Sequence, residues 1–543
     1  MKLFSVYVLV TYRIDTLTKH RSPDDTDVPG VRQYVRTRRQ ARLRPPSRRI
    51  DRTDSRSSPH SVGAEQFDSR GVTLSAGATV TVSTPAGRVI VLDVVGLQPS
   101  HLDAAPNISR LVGGPEAPST ARLRPPFPAV TVTSQTTLAT GQSPADHGDV
   151  ANGHYDRESD TVTFWGRERG DRTRLWESAS DAGATTGVLF FQHLVGTNAD
   201  VAVTPSPIED ENNDMLEMNC WTNPDGFYDA LEAEHGHFPL HRYWGPGANA
   251  ESSEWILTAA TEAVDRYDPD LLWVYLPHLD YDAQRYGPSS DEVTVAVETV
   301  DEMVGSFLTH LRATDRWGET AVAVLSEYGF HDVDSPVFPN RVLAREGYLT
   351  VGADGDVDLP DSDAFAVVDH QVGHVYADRR VRGAVRDELA GLDGVDTVLG
   401  DAEKRALGID HPDAGDFVLV ADESAWFQYY WWERDGRTPP YATDVDIHDK
   451  PGFDPCELFL GDEGMVSMDP SLVGGSHGRV DPETMGIFAL GGPATPTPSV
   501  GDPVDARAVA PSLADLVDVR AHLPSHLTGR SVFDDERDGS KTD

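Results

Sequence analysis

Three apolar runs of this chain deliver a carboxylate at or just past their ends: Asp93 in RVIVLDVVG, Asp280 in DLLWVYLPHLD and Glu327 in TAVAVLSEYG. Such oxygens can ligate a divalent cation, although an acid closing a buried strand serves equally well as a helix cap or turn residue. Their company favours the first reading. After a Pro-rich loop comes FPAVTVTSQTTLATGQSPADHGDVANGHYD, Phe127 to Asp156, crowded with hydroxyls, glycines and histidines. Hydroxyls and cation-binding acids together are the material of metal-assisted nucleophilic catalysis.

Positioning these groups is the task of the elements around them. The run Arg88 to Gly96 is rich in β-branched residues, as expected of a strand buried on both faces of a parallel sheet. TGVLFFQHL, DLLWVYLPHLD and TAVAVLSEYG read the same way, separated by helical segments such as SSEWILTAATEAVDRY and SDEVTVAVETVDEMVGSFLTHLRATD. That alternation predicts an α/β fold with a doubly wound, mostly parallel central sheet, in which function collects at the carboxyl ends of the strands. Past Pro339 the pattern loosens into FAVVDHQVGHVYA, a helix within RRVRGAVRDELAGL, then FVLVAD, predicting a smaller α+β cap. The aromatic run WFQYYWW, Trp426 to Trp432, either lines the pocket or packs the core at the cap boundary.

Four motifs in order carry a family resemblance: FPAVTVTSQTTLATG followed by DHG and ANGHYD, then LPHLDYDAQRYGP, VLSEYG and GSHG. The sequence resembles the type I phosphodiesterase/nucleotide pyrophosphatases of the alkaline phosphatase superfamily, over about Val89 to Gly478. The resemblance implies that Thr131 is the nucleophile and that Asn152 steadies a phosphoryl oxygen. It also implies two divalent ions (Zn, Mn, Mg or Ca), one held by Asp93 and Glu327 and the other by Asp280 and His477. Physical sense agrees, because a threonine hydroxyl is a poor nucleophile near neutral pH until a cation lowers its pKa.

Three departures complicate the ligand set. Where the family has a histidine four residues after Asp280, this chain has Gln284, and its later Asp-His pair is Glu327-Tyr328. Gln is a neutral donor, and a Tyr must lose a proton of pKa ~10 to ligate well. Either one metal site is lost, or harder ions such as Mg²⁺, Mn²⁺ or Ca²⁺ are used, or other residues complete the shell. Candidates for the last are His370 and His374, four apart on one face of either a strand or a helix, and Asp446 with His448, just before Lys450 and a Pro-Gly turn. Hydrogen-bonded cap histidines and an acidic turn are the alternative. His278 and Asp282 flank Asp280 at two-residue spacing and, on an extended end, would support it from behind.

The chain has 543 residues and a formal net charge of −42. Such a surface excludes bulk nucleic acid as a partner; the expected substrate is a small-molecule phosphate ester or nucleotide. Five lysines stand against 41 arginines. With the Asp-rich acid content, this suggests a salt-rich cytoplasm. Cys220 and Cys456 cannot build a disulfide framework, and the pair is read as reflecting a reducing interior, although a bridge between them stays open. Residues 1–70 reverse the charge, with 15 Lys/Arg against 8 Asp/Glu. The opening MKLFSVYVLVTYR mimics a signal peptide without a cleavage site, and no later window reaches the ~20 apolar residues of a membrane span.

The expected organisation is a disordered basic extension over 1–72, a core of alkaline-phosphatase type over 73–338 and 443–536, a cap over 339–442, and a disordered tail over 537–543. The expected function is metal-dependent hydrolysis of phosphodiester or nucleotide pyrophosphate bonds through a covalent phosphothreonine-type intermediate. Phosphonate or phosphomonoester hydrolysis and a noncatalytic phospho-ligand binder are the rivals. A sulfatase is disfavoured, since no C-x-P-x-R or S-x-P-x-R segment occupies the nucleophile position.

Overall fold

Strand β1, Arg88–Val94, is buried at every residue and forms the centre of the molecule. Its β-branched side chains fill both faces, so it pairs in parallel on both edges, with β6 (Leu271–Leu276) and β7 (Thr320–Leu325). Around them a nine-stranded sheet runs in the order β13-β2-β12-β7-β1-β6-β3-β4-β5. The outer members are β2 (Thr120–Arg124), β3 (Thr186–Leu189), β4 (Val201–Pro205), β5 (Cys220–Asn223), β12 (Gly486–Gly491) and β13 (Val504–Asp505). Strand β12 is antiparallel to both neighbours and β5 to β4; the rest of the sheet is parallel. The sheet is thus α/β, mixed and mostly parallel, as expected.

The structure is a computed structural model that describes residues 86–166, 172–209, 215–433, 438–447, 450–462, 464–496, 500–524 and 530–534. The stretches expected to be disordered, 1–72 and 537–543, lie outside the described residues, as does His448. No helix among the described residues is long and apolar enough to cross a membrane.

Helices flank the sheet, and the two longest are started by a side-chain cap. In α2 (Ala250–Tyr267) the Asn249 side chain accepts from the Glu251 amide, and in α4 (Asp291–Ala313) Ser290 accepts from Val293. Two shorter helices face the strand ends: α1 (Thr131–Thr140), buried along its whole length, and α3 (His278–Tyr286). The second corrects the sequence reading, for the chain turns helical immediately after β6 instead of staying extended. His278 and Asp282 are therefore one helical turn apart, and Asp280 shares its face with Gln284.

A second sheet of four antiparallel strands, ordered β8-β9-β11-β10, lies within the stretch assigned to the cap. Its members are β8 (Ala364–Asp369), β9 (Val372–Ala377), β10 (Val395–Leu399) and β11 (Phe417–Ala421). It has its own apolar core, to which Phe427, Tyr429, Tyr430, Trp431 and Trp432 contribute. The aromatic run is packing, not pocket lining. Cys220 and Cys456 are buried and unbridged.

Candidate active site

Parallel pairing brings the acids to one end of the sheet. Asp93 stands opposite Tyr275 of β6 and Leu325 of β7, so the segments carrying Asp280 and Glu327 leave their strands on either side of it. All three carboxyls are buried. Burial raises each of them: Asp280 is pushed up to about 7, and Asp93 and Glu327 rise well above the carboxylate range. Beside burial, the charges of Asp93 and Asp280 raise Glu327 further, whereas the Trp273 indole, near Asp93 but outside hydrogen-bond geometry to either of its oxygens, pulls Asp93 the other way.

Thr131 is the first residue of α1, where unpaired backbone N–H groups and the helix dipole favour an anion. Its Oγ1 lies 2.8 Å from the Tyr328 hydroxyl, which donates to Asp280 Oδ1 over 3.4 Å. With the phenol proton on Asp280, the threonine proton points at the Tyr328 oxygen. One turn along α1, Gln135 donates to Glu327 Oε1 at 2.7 Å and accepts from the Gln192 amide at 2.8 Å. Gln284 donates from Nε2 to Asp280 Oδ2 at 2.6 Å.

Asn152 is fixed on both sides of its amide. Its Oδ1 accepts from the Val132 amide of α1 at 2.9 Å, and its backbone and side-chain nitrogens donate to the two oxygens of Asp369 at 2.8 and 3.0 Å. His370, in the turn between β8 and β9, also donates to Asp369, from Nδ1 at 2.8 Å. Four rings then follow in file: Tyr328 stacks on His477 at 3.9 Å, His477 meets His370 at 3.7 Å with its ring tilted by 36°, and His370 stacks on Phe453 at 3.8 Å. His477 donates from Nδ1 to the Ala129 carbonyl at 2.7 Å, which fixes its tautomer. Burial holds both histidines well below their ordinary pKa, hence neutral.

The structure thus joins Thr131, Asn152, Asp280, Gln284, Glu327, Tyr328, His370 and His477 through contacts, and Asp93 through its charge. It does not join His374, Lys450, His278 or Asp282 to them. His374 accepts from the Gly415 amide at Nδ1 and bonds the Val150 carbonyl through Nε2, both at 3.1 Å. With both ring nitrogens engaged it cannot ligate a metal, and it stands on β9 while His370 stands in the turn, so the proposed pair is not one face of one element. Lys450 is tied to Asp454 at 3.1 Å and Glu457 at 2.6 Å in a separate buried network, which also takes the backbone N–H of Asp446 through Glu457. His278 is buried with Nδ1 unpartnered and makes no bond to the cluster; Asp282 pairs with Arg285. Sequence reasoning missed Gln135 and Asp369. The first could have been found from its i+4 spacing to Thr131, whereas nothing local signals the second.

A cation fits one part of this cluster. Neither oxygen of Asp93 and not Glu327 Oε2 has a hydrogen-bond partner, though all are buried. Buried acids without partners are strongly disfavoured unless a cation compensates them. The Asp280–His477 side fits poorly, because both Asp280 oxygens accept from protein donors. Among the described residues, three metal-binding donors gather within 4.8 Å at Glu234, His235 and Glu262, away from this cluster.

Strand-end acids, a helix-start threonine and a buried histidine thus lie together at one end of the sheet. The type I phosphodiesterase/nucleotide pyrophosphatase model matches residues 89–454, and the chain belongs to that family. An uncharacterized pyrophosphatase/phosphodiesterase of Schizosaccharomyces pombe is 21% identical over 240 residues, 42% of this chain and 41% of that protein. The match therefore spans less than half of the curated relative.

Solved structures show the same fold. Murine ectonucleotide pyrophosphatase/phosphodiesterase 5, in an inactive form with AMP, superposes with a TM-score of 0.51 at 17% identity, covering 79% of this chain and 95% of that one. Phosphonoacetate hydrolase from Sinorhizobium meliloti, with phosphonoacetate, gives 0.53 at 16% identity, covering 81% and 96%.

Proposed function

We propose that the chain hydrolyses phosphodiester or pyrophosphate bonds of small phosphate esters or nucleotides, with Thr131 as covalent nucleophile. The supporting observation is the Thr131 hydroxyl at the start of α1, hydrogen-bonded at 2.8 Å to a tyrosine that in turn bonds a buried acid. Asp93 and Glu327 would hold a divalent cation, which would neutralise phosphoryl oxygens and lower the pKa of the threonine hydroxyl.

The chain's own groups do the remaining work. Thr131 Oγ1 bonds to phosphorus as the ester or anhydride oxygen leaves, and its proton passes toward Tyr328 and Asp280. The second Nδ2 hydrogen of Asn152, not used by Asp369, is available to a nonbridging oxygen, with the α1 N-terminus adding positive potential. Water then displaces Thr131 from phosphorus, returning the hydroxyl and releasing the phosphoryl product.

The test is turnover of nitrophenyl phosphodiesters and dinucleotide pyrophosphates, with nitrophenyl monoester and phosphonate substrates alongside, across Mg²⁺, Mn²⁺, Ca²⁺ and Zn²⁺. Diester or pyrophosphate cleavage should exceed the others, and Thr131→Ala should lower it by ~10³-fold or more while the fold persists. An unchanged rate in that variant contradicts the assignment.

A further inference from the structure

The unusual feature of this site is the pair Gln284 and Tyr328. We propose that the site binds a single divalent cation, on Asp93 and Glu327, and that the second is excluded by Gln284, which stands in place of the histidine following Asp280, and by Tyr328, which stands in place of the histidine beside Glu327 but reaches across to Asp280. The proposal rests on the hydrolytic reading above and specifies its metal.

The two halves of the cluster differ in what their acids lack. On the Asp93–Glu327 side three carboxylate oxygens are buried without any donor, and the fourth takes one amide hydrogen from Gln135. Two buried carboxylates so placed either hold protons, as their raised pKa values show, or bind a cation, which is the state proposed here. On the Asp280 side the donors are already protein groups. Gln284 turns its nitrogen to Asp280 Oδ2, and an amide nitrogen has no lone pair with which to ligate. The opposite amide orientation would set its oxygen against the carboxylate oxygen, so the carboxylate itself fixes the unproductive one.

Tyr328 completes the exclusion. Its hydroxyl lies between Thr131 Oγ1 and Asp280 Oδ1, so a phenol bridges two oxygens that a second cation would have to approach. The phenol cannot readily swing aside. It is 1% exposed, and its ring lies on His477 at an interplanar angle of 9° with Phe330 packed against it. Asp280 is accordingly a hydrogen-bond acceptor for Tyr328 and not a metal ligand.

Metal counting tests this directly, without reference to turnover. Wild type and Asp93→Asn/Asp280→Asn/Glu327→Gln are dialysed against Mn²⁺ in high-KCl buffer and their bound manganese is measured; the difference removes ions held on the acidic surface or at Glu234, His235 and Glu262. A difference of one Mn²⁺ per chain, with the spectrum of an isolated ion in electron paramagnetic resonance, is expected. Asp280→Asn should retain that ion, and Gln284→His/Tyr328→His should raise the count to two. A wild-type difference of two, or loss of the ion in Asp280→Asn, overturns the proposal but leaves metal-assisted hydrolysis standing. A difference of zero overturns both. If the double histidine variant folds yet stays at one ion, Tyr328 and Gln284 are not what excludes the second.

Discussion

Tyr328 and Asn152 show how much a single side chain decides at this site. Tyr328 places a hydrogen-bond donor where a metal ligand was expected, while Asn152 ties the start of α1 to Asp369. Removing an aligned donor of this kind typically costs ~10²-fold in turnover. Asn152→Ala should therefore lower kcat by about that factor with a smaller effect on KM, measured under the same assay; a change confined to KM would assign Asn152 to substrate binding alone. At this scale the motifs singled out Thr131, Asn152 and the strand-end acids, each at a fixed offset within its motif, and the fold brings them to one end of the sheet. It was a poor guide to Asp369, whose role arises from a hairpin turn some 217 residues away from Asn152 along the chain.

Among the elements, the buried parallel strands were legible from their unbroken apolar runs, and β1, β6 and β7 formed close to where those runs fall. Helix α3 was not, since HLDYD carries no apolar periodicity and its helix is set by packing against its neighbours. His370 and His374 failed as a pair for a similar reason: four residues of spacing do not reveal that a reversal of the chain separates them. His374 instead fastens β9 to the loops at Val150 and Gly415, and burial lowers its pKa from 6.5 to about 4. The unfolded chain takes up this proton near pH 6.5 and the native state does not until about pH 4, so stability falls as pH drops through that window. Compared with His374→Gln, which cannot titrate, the wild type should lose about 2 kcal/mol of relative stability between pH 7 and pH 5 in denaturant unfolding. A pH-independent difference would mean that His374 has the same pKa in the native and the unfolded chain.

For the whole molecule the governing quantity is the net charge of −42. At low ionic strength these charges repel across the surface, and added salt shortens their reach from ~10 Å at 0.1 M to ~3 Å at 1 M. The midpoint of thermal unfolding should rise steadily with KCl across that range; a flat or falling midpoint would remove the argument for a salt-rich habitat. Overall charge was plain in the sequence, but the means by which one short helix meets a sheet edge was not, and on that meeting the chemistry depends. The central claim is that phosphorus becomes bonded to Thr131 during turnover, and the most direct measurement is acid quenching of a reacting sample followed by peptide mass spectrometry. The account predicts a phosphoryl or nucleotidyl adduct on Thr131 that is absent from Thr131→Ala, whereas full turnover with no adduct on this residue would contradict it.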